Sequence, residues 1–436
     1  MGDVASRLRQ IVRGSGQAPR PGSGPARELT YELDSPGWRT PATLEQVCES
    51  LGGTAFDTSA GSCLRICRRY ESDRWYGNLR IGDCEVTDLS ALDTPGSPIF
   101  LDIETTGLSG GAGTVAFLVG CGYFDLGAFQ IHQFLLPSYA AERALLAAVA
   151  DSVAGAGCLV TYNGKTFDLP VMETRWLFHR IPPPLAEKAH LDMLHTARRL
   201  WRDREAPQGC NLSVLERDLF GVRRTGDVPG FEIPSRYFRF LRTGDPAPLE
   251  TVLEHNRLDL VSLAAVTARA AAIAHGGSPA CRDGRERLAA GRLLERGGRF
   301  AAAEQCYRDA TADADAEVRT DGWCRLAIRL RRERRHAEAA DAWRQVLASA
   351  SSGSIGTLAR QALAVHMEHR TGDFDGARTL ALEALLELEN ELPRRREDLL
   401  YRLARLDRKI TRRLERTGGV QVDLLDQPTD EGCVLF

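Results

Sequence analysis

At 436 residues and 47.9 kDa the chain has room for two or three domains. Its 43% hydrophobic and 26% charged residues are those of a soluble globular protein, and a net charge of −3 carries no global basicity that would advertise nucleic acid. No apolar run of the ~18–20 residues that cross a membrane is expected, and the opening MGDVASRLRQIVRGSG lacks the apolar stretch of a secretory signal.

Residues 1–28, rich in Gly, Pro, Ser and Arg, read as a disordered N-terminal segment. Residues 29–95 form a small lead-in region, with a short helix over 43–51 and strands in CLRICRRY and GNLRIGD. From residue 96 to 276 the order becomes β, β, β, α, β, α. Strands are expected at 98–103, 115–125 and 128–136, the last two joined by a tight Asp-Leu-Gly turn. A helix at 141–153, a buried strand at 157–162 and a helix from Phe167 follow, then helical stretches at 187–202, 211–220 and 248–275. Three strands in a meander, a helix and a further strand are the order of the RNase H-like fold, here a mixed five-stranded sheet with flanking helices.

Residues 284–416 are helical throughout and repeat. Phe300, His336 and Phe374 share one register, with Ala303, Ala339 and Ala377 three residues on. The spacing is close to the ~34 residues of a tetratricopeptide repeat, so the second domain is expected to be an all-α array of this kind. A last helix over 398–416 carries Leu399, Leu403, Leu406, Ile410 and Leu414 on one stripe, as a solenoid cap would. Residues 281–416 hold 28 Arg and Lys against 23 Asp and Glu. Residues 417–436 are expected to be a flexible tail. Eleven cysteines, an odd number and mostly isolated, point to reduced thiols in a cytoplasm. Arg-rich, Ala-rich usage points to a bacterial genome, so the short lipidation patterns at Gly2 and Cys433 are read as coincidence.

The chemistry sits in the stretch PIFLDIETTGLSGG. Asp102 and Glu104, two residues apart on a buried strand, point to the same face. Two such carboxylates repel and are costly to desolvate unless a cation lies between them. A second carboxylate, Asp168, opens a helix after the strand 157–162, in the run YNGKTFD. A third run, HNRLD, puts His255 and Asp259 on one helical face, ~5–6 Å apart at Cβ.

These three runs, in this order, resemble the exonuclease motifs of the DEDD superfamily. DIETTGLSGG, YNGKTFDLP, RTGDVPGFEIP (224–234) and EHNRLDLVSL are similar to YprB-type RNase H-like proteins; the resemblance covers roughly residues 95–275, and the repeats that follow suit members that carry tetratricopeptide repeats. The resemblance implies that Asp102, Glu104, Asp168 and Asp259 bind two Mg²⁺ or Mn²⁺ and that His255 serves as acid/base. It implies a 3′–5′ exonuclease acting on a nucleic-acid strand, single-stranded at its end, DNA or RNA, away from any membrane. Candidate substrate contacts are Thr105 and Gly107 after the acidic strand, with Asn163 and Lys165. One departure is that three residues separate His255 from Asp259, where the histidine subclass has four; His255 then either orients water or takes its proton. Two other functions share the residues: an adaptor whose repeats recruit a protein and whose nuclease fold only binds nucleic acid, and an endonuclease on structured or hybrid duplexes.

Three further patterns are weaker. Gly111-Ala-Gly113 mimics a dinucleotide loop but leads into a strand; Asp192 in HLDMLH is at most a supporting acid; Glu142 compensates a helix dipole.

Overall fold

A computed structural model describes residues 43–107, 113–202, 209–350, 352–388 and 393–416. The expectations for residues 1–28 and 417–436, and for most of the Gly-rich loop after Gly107, lie outside these residues.

Helix α1 (Leu44–Leu51) is opened by a reciprocal cap: Thr43 Oγ1 accepts from the Gln46 N–H, and the Gln46 side chain accepts from the Thr43 N–H at 2.9 Å. Strands β1 (Thr54–Thr58) and β2 (Gly61–Glu71) form a hairpin. The GNLRIGD stretch gives only β4 (Leu79–Arg80), paired with β3 (Trp75–Tyr76), before a 3₁₀ turn. Then come the acidic strand β5 (Pro98–Thr105), β6 (Ala116–Asp125) and β7 (Ala128–Leu135). The β6–β7 turn puts Leu126 and Gly127 at positive φ, 49° and 70°, the mirror-image turn that matches the twist of a hairpin. Helix α2 (Glu142–Val153), β8 (Cys158–Thr161), helix α3 (Asp168–Phe178) and β9 (Ala189–Asp192) complete the sheet.

The strand order is β1-β2-β7-β6-β5-β8-β9, with β5, β8 and β9 parallel and all other neighbours antiparallel. The sheet therefore has seven strands where five were expected. The lead-in segment supplies the extra two: β2 pairs along the whole of β7, from Leu64 opposite Leu135 to Glu71 opposite Ala128. This covers an edge that would otherwise present unpaired backbone groups. The stretch 187–202 also divides. Ala189–Asp192 is drawn into the sheet beside β8, and only α4 (Met193–Trp201) is helical.

One face of the sheet buries Ile99, Leu101 and Ile103 against Leu145 and Val149 of α2 and Met172 and Trp176 of α3. Trp176 is fully buried, and its indole N–H donates to the Leu146 carbonyl at 3.0 Å. The opposite face buries Phe100, Ile131 and Val160. It is covered by α4, α5 (Leu212–Phe220) and the 30-residue helix α7 (Ala247–Gly276); α6 (Ile233–Thr243), not foreseen from the sequence, precedes it. Helix α7 is long and apolar enough to cross a membrane, contrary to the expectation that no such stretch exists. Yet 72% of its most apolar window is buried within the protein, as befits a core helix.

Among the described residues seven α-helices follow: α8 (Gly284–Arg296), α9 (Phe300–Ala310), α10 (Ala316–Arg332), α11 (His336–Ser349), α12 (Gly353–His366), α13 (Phe374–Glu387) and α14 (Pro393–Arg416). Phe300, His336 and Phe374 each begin a helix, and Ala303, Ala339 and Ala377 are buried, so the register read from the sequence is structural. Ala at those positions lets the neighbouring backbone come close. The last helix starts at Pro393, earlier than expected, with Leu399 and Leu406 buried while Leu414 at its end is exposed.

The core does not break between the sheet and the helices. Leu260, Ala264 and Ala271 of α7 belong to the same cluster as Leu288, Leu294, Tyr307 and Leu326. A buried acid bolts the junction. Glu286 accepts from Arg269 of α7 at 2.5 Å, from Trp201 of α4 at 2.9 Å and from the Arg282 backbone at 2.8 Å.

Candidate active site

Alternation along β5 sends Phe100, Asp102 and Glu104 to the face covered by α7. Strand β8 pairs with β5 only through Pro98, Ile99 and Phe100, so β5 outruns it and leaves backbone groups free beyond that point. Asp168, at the first position of α3, takes one of them: its carboxylate accepts from the Ile103 N–H. A break in register between Glu104 and Thr105, opposite Leu118 and Ala116, bends the strand at this end.

Helix α7 brings the other groups. Asn256, fully buried, donates to Asp102 twice, to its carboxylate at 2.7 Å and to its backbone carbonyl at 3.1 Å. The amide oxygen of Asn256 accepts from Gln133 of β7 at 2.8 Å. His255, one residue earlier, lies with Nε2 3.9 Å from Glu104 and 3.6 Å from Asp259, while Nδ1 meets the Asp227 carboxylate at 2.7 Å. Asp259 is bound through its other oxygen by Arg224 at 2.6 Å.

The electrostatics follow from the crowding. Burial, then the neighbouring Asp259, Glu104 and Asp168, push the Asp102 carboxyl well above its ordinary range, against the Asn256 hydrogen bond. Glu104 is raised for the same reasons, by burial and by Asp259, Asp168 and Asp227. Asp168 is pushed up to about 7, chiefly by burial and against two backbone N–H groups. Asp227 goes the other way: burial raises it, but the His255 hydrogen bond and Arg224 outweigh that and leave it below the usual carboxylate range.

The four acids and His255 chosen from the sequence thus meet at one end of the sheet. The softer candidates fare differently. Thr105 is buried and its hydroxyl donates to the Gly107 carbonyl at 2.7 Å, so both hold the turn after β5. Asn163 sits at positive φ (67°) and its N–H, like that of Lys165, is bound by Asp192, at 2.8 and 3.1 Å. Asp192 is therefore the anchor of this loop, while the Lys165 side chain is exposed. Glu142 is no dipole compensator alone. It is buried and ion-paired with Arg175 at 2.5 Å and His179 at 2.8 Å.

Sequence reading missed Asn256, Gln133, Arg224 and Asp227. Arg224 and Asp227 lie inside the stretch RTGDVPGFEIP that carried part of the resemblance, and Asn256 adjoins His255. Their roles depend on partners more than 25 residues away in the chain, which no local pattern reveals.

Comparisons with known proteins agree with this architecture. Residues 99–271 match the RNase_H superfamily model, a span that holds all four acids and His255. Over 315 residues the chain is 32% identical to the uncharacterized protein YprB of Bacillus subtilis (strain 168), covering 71% of this chain and 74% of that one. The chain belongs to the YprB family. An RNase H-like domain in which the mixed sheet carries its acids on β5 and its covering helix is therefore the frame of this YprB-family member, followed by a helical region. A looser likeness is to the family B DNA polymerase from the hyperthermophilic archaeon Pyrobaculum calidifontis, with a TM-score of 0.32 and 14% identity over 54% of this chain. It spans only 34% of the polymerase, an overlap too loose to carry an argument.

The donor set suits a hard divalent cation. Asp102, Glu104, Asp168 and Asp259 offer only carboxylate oxygens, the ligands preferred by Mg²⁺ and Mn²⁺, and their mutual repulsion is what such an ion relieves. Among the described residues, no three side chains stand close enough together to ligate one ion as placed.

Proposed function

We propose that this protein is a metal-dependent nuclease that hydrolyses phosphodiester bonds, working from the 3′ end of a nucleic-acid strand in the cytoplasm. The observation that carries this reading is the convergence of four carboxylates distant in sequence, of which Asp102, Glu104 and Asp168 are pushed upward by burial and by the acids around them. A pure binder of phosphate has no use for such a cluster. Asp102, Glu104, Asp168 and Asp259 would hold up to two Mg²⁺ or Mn²⁺, which when bound supply an activated water and charge stabilisation at the leaving oxygen.

The protein's own groups then divide the remaining work. Asn256 and Gln133 fix the Asp102 carboxylate in one orientation. Asp227 holds Nδ1 of His255, so Nε2 is the nitrogen turned to the acids and able to orient water or take its proton. The shortened His-to-Asp spacing is thereby accommodated, because Asp227 aims the ring. The exposed Lys165 side chain, on the loop 163–165 that Asp192 ties down, is offered to the substrate phosphates, while Thr105 and Gly107 hold the turn beside the acids. The helices α8–α13 are read as tetratricopeptide-like units and α14 as their cap, an array suited to docking a protein partner.

The test is digestion of labelled single strands of DNA, RNA and hybrid with Mn²⁺, wild type beside Asp102→Ala. Degradation by wild type at least about a hundredfold faster than by the variant is expected, the scale of losing one key electrostatic group. Equal digestion by both removes the reading. The Arg224–Asp259 ion pair favours one alternative, an adaptor with a silent site. For that case Mn²⁺ would give no thermal stabilisation, whereas the enzyme gains stability that is lost in Asp168→Asn.

A further inference from the structure

A guanidinium, that of Arg224, reaches into the cluster of four acids through Asp259. It is deeply placed, with 7% of its side chain exposed, yet fully engaged. Nε donates to Glu216 at 2.8 Å, Nη1 to Asp227 at 3.2 Å, and Nη2 to Asp259 at 2.6 Å and Ser262 at 3.3 Å. Glu216 is itself fixed by Tyr76, whose hydroxyl also meets Ser262 at 2.7 Å. Burial opposes the charge on Arg224, but Asp259 and Glu216 outweigh that and keep it cationic. Arg224 therefore occupies one of the two oxygens of Asp259, and through Asp227 it also braces the support of His255.

We infer that Arg224 is a built-in cation that stands in for one metal charge, so that the substrate-free protein takes up a single divalent ion rather than two. This rests on the metal reading above and refines it. With one Asp259 oxygen committed to a guanidinium at 2.6 Å, Asp259 has only Oδ2 to give, and the fixed positive charge repels a second divalent ion nearby. Asp102, Glu104 and Asp168 are left as the carboxylates that would close on the first ion when it binds. Arg224 is thus a positioning residue that sets how readily the site takes a second ion.

The experiment counts Mn²⁺ on the full chain without nucleic acid, by isothermal titration and by the electron paramagnetic resonance signal of the free ion, at neutral pH and low ionic strength. Wild type is expected to bind one ion tightly and a second at least about tenfold more weakly, the size of effect a nearby fixed charge exerts. Arg224→Gln is expected to bind two with similar strength, and Arg224→Lys, which keeps the charge, to behave as wild type. Two equally tight ions on wild type overturn the inference even if the variants fail to fold. So does a folded Arg224→Gln that still takes one. If wild type takes no ion and Asp102→Asn behaves alike, the metal reading itself falls, and the inference with it.

Discussion

Asn256 carries the orientation of Asp102 alone, and no other described side chain donates to that carboxylate. Replacing Asn256 by Ala leaves a buried carboxylate without its donor and frees the Gln133 amide to one remaining bond, with the Leu253 carbonyl. A loss of roughly 1–3 kcal/mol in unfolding free energy is expected by denaturant titration, together with weaker Mn²⁺ binding. Asp168 sets a test in pH. Its carboxyl goes from an ordinary 3.8 to about 7 on folding, so the native state keeps a proton that the unfolded chain releases. Stability from this group is therefore present below its unfolded value and is lost as pH rises through the window up to about 7. In EDTA, Asp168→Asn should match wild type near pH 4 and exceed it above pH 7, the gap growing by about 1.4 kcal/mol for each tenfold gain in proton affinity on folding. Parallel stability curves for the two proteins across that window would contradict the crowding described. Both effects needed the fold. The sequence supplied the acids, but their proximity to Asn256 and Arg224 is a tertiary fact.

At the scale of elements, helix α7 does two jobs with one period. Its first half presents His255 and Asp259 to the acids and Asn256 to the sheet, while its second half, from Leu260 to Ala274, is buried in the core shared with the later helices. This contact is close because β6 has Gly120 under Asn256, where a Cβ would collide with the amide. Gly120→Ala is expected to cost roughly 1–3 kcal/mol by forced rearrangement and to lower activity by displacing Asn256; a crystal structure of the variant with Asn256 unmoved would refute the close-approach argument. The meander β5–β6–β7, α2 and the start of α3 were legible from alternation, turn residues and helical period. Strand β9 was not, because four residues of mixed polarity become a strand only when β8 is there to pair with them. Helix α6 escaped because its apolar face, Ile233, Tyr237 and Phe240, closes on the sheet's Phe117 rather than repeating through a long run.

For the whole molecule, the continuous core predicts that the two regions do not separate cleanly. Truncation after Gly277 would expose Ala270, Ala271, Ile273 and Ala274, all now buried, and leave Arg269 and Trp201 without Glu286. The truncated chain is expected to be poorly soluble or to melt several degrees lower than full length by calorimetry; an equally stable fragment would show the junction to be a mere contact. Such coupling means that a partner gripping the helices pulls on the same helix that holds His255 and Asp259.

Local pattern was enough to pick out the acids, the alternation that puts Asp102 and Glu104 on one face, and the helical register marked by Phe300, His336 and Phe374. These follow from periods of 2 and 3.6, which are local properties of the backbone. Packing alone settled which groups answer the charges: Asn256 on Asp102, Asp227 on His255, Arg224 on Asp259, and β1–β2 on the open edge of the sheet. Charge and hydrogen-bond pairing act through space over a few ångströms, and neighbours at that distance are fixed by how the elements pack rather than by order along the chain.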